Sequence, residues 1–532
     1  MAYFQGARKV AIIKLLPHKP FAKVWHPAIR HEQCINVSKI SELDSDSTMQ
    51  SHTVAATGDM TFPQAGRPQD GAGCLSGKLV ALCTRPVSER DLRQAARLLL
   101  DWCGIALAAT AEPGSGAARM WARATHGSGP CTSFGAAEAT PELAAFVNGS
   151  LGTILEMDDL HRASIMHAGD VVIPAALAAA QYSAAPARQL LEAIVVGYEV
   201  ALRIGAAASA AGYTAWYNSG VCGGFGAAMA AAHAAGASAD TKIDALGHAG
   251  MQAAGLWQCR LETTDSKPLA TAHAARAGIT SAFMAIHGCR GARHILDGRL
   301  GFFSTYYPKA DPANVLAGSS DDWKLHEVSF KPWPACRHVH TAVGLALDLR
   351  GEVDVEAIEG VTVHTYAAAI EFCDTASPQN SHQARFSLQH CVAVALKRGR
   401  LRLADVQQAA LGDADLVRLR GLIRLVEDPK LSAAFPHRMG ARLDIDGLGE
   451  TRQSAAAEDA PGDPEKPMDE AALTEKFLAN LAWADVGQAD ARILAAAITA
   501  LPATDRLERL NAVLRAVTLH RNDNSGEGRE DD

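Results

Sequence analysis

From Ser88 onward, apolar residues recur three and four positions apart, at Leu92, Ala95, Ala96, Leu99 and Cys103. That is the spacing of one buried helix face. Ser88-Glu89-Arg90-Asp91 has the form of a capping box, so the pattern predicts a helix from Ser88 to about Ala109. Further helices are predicted over 141–155, 174–182, 186–211, 225–235, 242–257 and 272–287. Pro141, Pro174 and Pro186 each fall at a predicted first turn, where a missing N–H costs nothing. After Gly301 the period shortens. Alternating runs at 327–331, 361–366 and 441–445 predict short antiparallel strands, the last entering an Asp446-Gly447 turn. Helical stretches at 340–349 and 387–397 lie between them. Helical spacing returns beyond Gly462-Asp463-Pro464, with Leu473, Phe477 and Leu481 on one face and Ile493, Ala497 and Leu501 on another.

Two helices cannot bury their apolar faces alone, so this last pair is expected to rejoin the first helical region. The chain then divides into an extension outside the folded core (1–86), the first part of a helical domain (87–310), an α+β domain (311–464), the returning helices (465–520) and an acidic, disordered tail (521–532). The extension carries six Lys or Arg in its first 31 residues and no acid before Glu32. It reads as a disordered upstream segment or as a targeting signal, with Met49 and Met60 as plausible internal starts.

Composition sharpens this. Of 532 residues, 48% are hydrophobic but only 6% aromatic, so small aliphatic groups must fill the interior. Roughly a fifth are alanine, the best helix former and the least bulky. A net charge of −8 argues against a nucleic-acid partner. No apolar stretch is bulky enough for a membrane span. The eleven cysteines form no Cys-x-x-Cys pair, which supports neither a metal cluster nor a disulfide framework; they read as small buried hydrophobes in a reducing, cytoplasmic setting.

Four stretches carry candidate chemistry. Glu156-Met157-Asp158-Asp159-Leu160-His161, with His167-Ala168-Gly169 after it, sets three carboxylates and two histidines within twelve positions. A carboxylate can fix a histidine tautomer, and the histidine can move a proton at neutral pH. The same residues also suit a capped polar loop or, less well for want of ligand spacing, a metal site. Trp216 to Ala228 is a glycine-rich turn opening an alanine-rich helix. It suits either a bound anion at a helix start or close helix packing. Lys267-Pro268-Leu269 enters a helix containing His273 and Arg276; Lys267 is either a carboxylate binder or a solvated lysine. Lys331-Pro-Trp-Pro-Ala-Cys-Arg337-His338-Val-His340 packs four cationic or titratable groups around two prolines, as an anion-binding loop or a basic surface loop.

In this order the stretches resemble the MmgE/PrpD family over about Val87 to Val517. The marks of the resemblance are Glu156 to His161, His167 to Gly169, Pro174 to Leu177, Phe225 to Ala228, Lys267 to Leu269, Lys331 to His340, Phe386-Ser387-Leu388, and Gly462-Asp463-Pro464 leading to Lys476-Phe477. The resemblance implies a mainly α fold: a large all-helical domain built from both ends of the chain, with a smaller α+β lid domain inserted. It also implies a homodimer, no metal or organic cofactor, and a small di- or tricarboxylate of the 2-methylcitrate or aconitate type as substrate, as in propionate metabolism. The implied chemistry is proton transfer next to a carboxylate, as in a dehydratase-like lyase. An epimerase of an amino- or iminodicarboxylate and an inactive carboxylate-binding relative are the alternatives. Carried over by position, Asp158, His167, His161 and Tyr217 are the expected catalytic residues. Glu156, Asp159, Lys267, Arg337 and His338 are the expected substrate-binding ones. The chain departs from the family pattern at three places: Tyr217 and Ala270 stand where histidines are usual, and Ala168 replaces a proline. A tyrosine can donate a proton but is a poor base at neutral pH.

Overall fold

The computed structural model describes residues 73–524 apart from 126–128, 136–137, 211, 263, 319–320 and 448–451. These residues belong to one compact unit, with 60% of them in helix and 8% in strand. The fold is therefore mainly α with an α+β portion. The expectations for the first 72 residues and for the tail beyond 524 lie outside the described residues.

Eleven helices make the first half of the described residues: α1 (Leu75–Leu82), α2 (Glu89–Ala109), α3 (Gly116–Thr125), α4 (Pro141–Leu151), α5 (Gly169–Tyr182), α6 (Ala187–Ala208), α7 (Asn218–Val221), α8 (Gly223–Ala234), α9 (Ala239–Gly250), α10 (Gln258–Leu261) and α11 (Ser266–Ile286). The Ser88–Asp91 capping box forms at the start of α2, with each side chain accepting from the other residue's backbone N–H. Helix α8 is central. It packs against α5, α6, α9 and α11, and alanine and glycine let these axes approach closely. A Cβ on Gly226 would meet the carbonyl oxygen of Gly197 at 2.5 Å, so the α6–α8 crossing requires glycine there. Buried apolar groups form two main clusters. One gathers residues from Cys74 to Phe330 with Leu473, Phe477, Leu494, Ile498 and Leu510 near the other end of the chain; the other lies between Ala335 and Ile445.

Several element predictions are corrected. Among the described residues regular structure begins at α1, inside the segment expected to lie outside the folded core, and α1 buries Leu75, Leu79 and Val80. Helix α5 starts at Gly169, so Pro174 is its sixth residue and not in its first turn. The helix expected to reach Trp257 ends at Gly250. On the helix Gln488–Thr499 the buried face is Ala491, Leu494, Ala497 and Ile498, while Ile493 is exposed. Arg521 to Asn524 continue the last helix instead of starting a disordered tail.

Six strands are present among the described residues: β1 (Leu160–His161), β2 (Val328–Ser329), β3 (Ile358–Thr365), β4 (Ile423–Glu427), β5 (Ala441–Gly447) and β6 (Arg452–Ala457). The last four form one sheet in the order β4-β3-β5-β6. It is mixed, because β3 and β4 run parallel while β3–β5 and β5–β6 are antiparallel; the all-antiparallel expectation is corrected. Helices α12 (Phe302–Tyr306), α13 (His340–Leu349), α14 (Ala367–Cys373), α15 (Ser381–Arg385) and α16 (Leu388–Arg398) follow α11, the last four within this α+β portion. Strand β6, Arg-Gln-Ser-Ala-Ala-Ala, lacks the branched and aromatic residues that mark strands in sequence. It is held at the sheet edge by β5 alone.

Candidate active site

The two-residue ladder β1–β2 builds the site. Leu160 pairs with Ser329 and His161 with Val328, which draws the acidic loop before β1 against Lys331 just after β2. Glu156 enters that loop with φ 53°, and Ile165, in the turn that follows β1, has φ 51°. Non-glycine residues held in the left-handed region cost roughly 1–3 kcal/mol each and persist only where packing over-determines them. The loop is thus held in a shape that its local sequence disfavours.

Four of its contacts are charged. Lys331, with no exposed side-chain surface, places Nζ 3.0 Å from Asp158 Oδ1 and 3.5 Å from Glu156 Oε2. Lys267, in the first turn of α11, donates to Glu156 Oε1. His167 Nδ1 lies 2.8 Å from the carbonyl oxygen of Asp159 and 2.9 Å from Asp158 Oδ2. Both neighbours are acceptors, so Nδ1 carries the proton and Nε2 is the basic nitrogen. No described residue engages Nε2, and His167 lines the cleft. Burial by itself would raise the Asp158 carboxyl, but His167 and Lys331 outweigh it and hold Asp158 well below the usual range. Glu156 is likewise lowered, because the two lysines overcome its burial.

A second buried layer supports this one. Lys476, from the helix Glu470–Trp483, donates to the carbonyl oxygen of Met157 at 3.0 Å and sits 2.6 Å from Asp101 on α2. Asp170 is fully buried without a hydrogen-bond partner for either oxygen. Burial, and then the charge of Asp158, push it well above the carboxylate range, which favours its protonated form.

The cleft has a volume of ≈ 320 Å³ and is walled on one side by Glu156, His167, Lys267 and Lys331, on the other by Arg337, His338, Phe372 and His382. Arg337 donates to Asp463. His338 places Nδ1 2.7 Å from the Tyr366 hydroxyl and Nε2 3.3 Å from that of Tyr213. Burial and then Arg337 lower its pKa to about 3, so His338 is neutral and binds no anion by charge.

Of the nine expected site residues, Glu156, His167, Lys267, Arg337 and His338 line this cleft. Asp158 stands behind His167 and reaches the cleft only through it. Three expectations are corrected. His161 turns away, with Nδ1 2.8 Å from Ser164 Oγ and Nε2 3.1 Å from Glu327 Oε2, and faces a separate hollow. Asp159 is spent on structure: it accepts from the Tyr198 hydroxyl at 2.6 Å and from the Gly169 N–H at the start of α5. Tyr217 is fully buried with its hydroxyl unpaired. Burial raises its pKa, although Lys267 opposes this, so it stays protonated as a donor would, but it does not line the cleft. The glycine-rich stretch at 220–226 is buried among helices and does not line the cleft, and Ala270 faces a separate, more open hollow. Lys331 lay inside a motif read from sequence, yet its central place was missed. Arg260 and His382 carried no signal, because only folding brings them to the cleft.

The chain matches the sequence model of the MmgE/PrpD N-terminal domain over residues 75–314 and that of the MmgE/PrpD C-terminal domain over 333–500. It is 26% identical over 424 residues to cis-aconitate decarboxylase of Homo sapiens, covering 75% of this chain and 85% of that protein. It is 30% identical over 270 residues to the cis-aconitate decarboxylase-like protein oryM of Aspergillus oryzae, covering 48% of this chain and about half, 54%, of the relative. A 109-residue stretch is 33% identical to 2-methylcitrate dehydratase of Cupriavidus necator, covering 19% of this chain and 22% of the relative.

Proposed function

The chain belongs to the MmgE/PrpD family, and from that premise we propose that it is a lyase that moves a proton at the carbon next to a carboxylate of a small di- or tricarboxylic acid. The observation that carries this is His167, with Nδ1 fixed by Asp159 and Asp158 and Nε2 left free in the cleft. Nε2 takes the proton. The Asp158 carboxylate stabilises the imidazolium that forms and fixes the ring without entering the cleft. Lys267 and Lys331 bind the substrate carboxylate and stabilise the charge that develops on it as the proton leaves. Glu156 spaces the two ammonium groups, and Arg337 lies on the opposite wall for a second carboxylate. Cis-aconitate decarboxylases and 2-methylcitrate dehydratases among the relatives support a carboxylate-acting enzyme. The reading needs no metal or organic cofactor, and a homodimer goes with it, which light scattering tests.

The test is a panel of citrate-like acids in deuterated water, followed by proton NMR and by ultraviolet absorbance of a double bond. Deuterium uptake with gain or loss of a double bond supports the lyase. Uptake without it and without release of carbon dioxide supports the second reading, an epimerase. Binding of these acids without any uptake sinks both and leaves a carboxylate-binding relative.

A further inference from the structure

We propose that the substrate of this cleft carries an apolar arm, alkyl or aryl, in place of a third carboxylate. The proposal rests on reading the cleft as the proton-transfer site and narrows its substrate class. It starts from charge. Glu156, Asp158, Lys267 and Lys331 form a closed set with zero formal charge. Arg337 is committed to Asp463 and Arg260 to Glu371, while Glu262 adds a negative charge to the lining. Protonated His167 supplies one further positive charge. A carboxylate removed from water needs its own cation or donor. One or two can share the lysines, His167 and Arg337 with the carboxylates that already pair these cations; a third finds no further unpaired cation among the described lining residues, only the polar side chains of Thr264, Thr375, His382 and Gln383.

The rest of the lining is more apolar than polar, its polar side chains including Thr264, Thr375, His382 and Gln383. Trp257, Tyr213, Phe372, Phe386, Ile165 and Met439 all face the cleft. They include a continuous ring surface, with the Tyr213 centroid 5.0 Å from Phe372 and 6.5 Å from Trp257. The Arg260 guanidinium lies 3.8 Å from the Phe372 ring centroid, so this cation is stacked as well as paired. The Tyr213 hydroxyl is already directed at His338. The ring surface itself offers few donors, and such surface discriminates by the apolar area that it removes from water.

The experiment measures the affinity of the full-length protein for succinate, 2-isobutylsuccinate, 2-benzylsuccinate and citrate by calorimetry. The benzyl and isobutyl acids should bind at least roughly tenfold tighter than succinate, the gain expected for burying a ring or a branched chain. Citrate should bind no tighter than succinate. Phe372→Ala should shrink the ratio of benzylsuccinate to succinate affinity by severalfold; if that variant does not fold, the wild-type series decides alone. Tightest binding of citrate, equal binding of succinate and its substituted forms, or no binding of the substituted acids overturns the proposal. Deuterium exchange separates the two claims. Tight binding of the substituted acids with no exchange keeps the apolar arm and counts against catalysis, whereas exchange confined to citrate-like acids keeps catalysis and overturns the arm.

Discussion

The two walls of the cleft solve opposite problems. The wall from the helical portion buries ionised groups: Lys331, Asp158 and Glu156 are each at most 4% exposed and are kept charged by one another. The wall from the α+β portion holds titratable groups that stay silent, with His338 neutral beside Arg337 and its hydrogen bonds taken by tyrosines. Charge concentrated on one wall, against a wall whose one cation, Arg337, is already paired with Asp463, lets a developing anion be stabilised at one end of a substrate while the other end is bound largely by shape. The difference teaches that a histidine in a cleft is not thereby a base; which ring nitrogen is left free decides.

The largest test of this contrast is His167→Asn. It removes the free Nε2 while keeping an amide to satisfy the loop, so turnover of any accepted acid should fall by roughly 10²–10⁴-fold with a much smaller change in KM. A loss confined to KM would mean that His167 binds and does not transfer protons. Next comes Lys331→Met, which leaves Asp158 and Glu156 with an uncompensated buried charge. Urea unfolding should show a loss of about 3–5 kcal/mol, and a variant as stable as the wild type would show that the charged wall does not depend on this pair.

Asp159 gives a smaller effect with a definite sign. Its burial outweighs the bonds from Tyr198 and Gly169, so it titrates at about 6 when folded against 3.8 for an ordinary aspartate. The raised folded pKa gives stability that is present below pH ~4 and lost as pH rises through 6, worth about 3 kcal/mol. Asp159→Asn cannot lose it, so between pH 4 and 7 the stability difference should move in favour of the variant. A difference independent of pH would place the Asp159 titration elsewhere. The smallest effect is expected from His161→Gln. Because Ser164 and Glu327 hold that ring outside the cleft, turnover should change by less than about threefold; a loss as large as that of His167→Asn would return His161 to the site.

Much of this was legible in the sequence where the signal is local. The capping box at Ser88 and the periods of α2, α6 and α16 follow from residues a few positions apart. The acidic loop was legible as a site because so many ionisable groups fall within twelve positions. Its internal assignment was not. Asp158 and Asp159 are neighbours of the same chemical type, yet one faces Lys331 and His167 and stays ionised while the other caps α5 and titrates near 6. No periodicity separates them, because the choice is made by a turn whose entry residue, Glu156, sits at positive φ. The same holds for α5, which begins five residues before the proline taken to mark its first turn, since Asp159 accepts from its first N–H.

By itself the sequence determined a mainly helical chain packed with alanine and glycine, an α+β stretch after Gly301, and the few loops dense in charge, because helix period, turn chemistry and the cost of burying ions act over short distances. Only the tertiary structure decided which of those charges meet. The short β1–β2 ladder joins residues about 170 positions apart, as Lys331 and Asp158 are. The aromatic wall likewise draws on Tyr213, Trp257 and Phe372, which share no local pattern and come together only when two separate hydrophobic clusters close around one cleft.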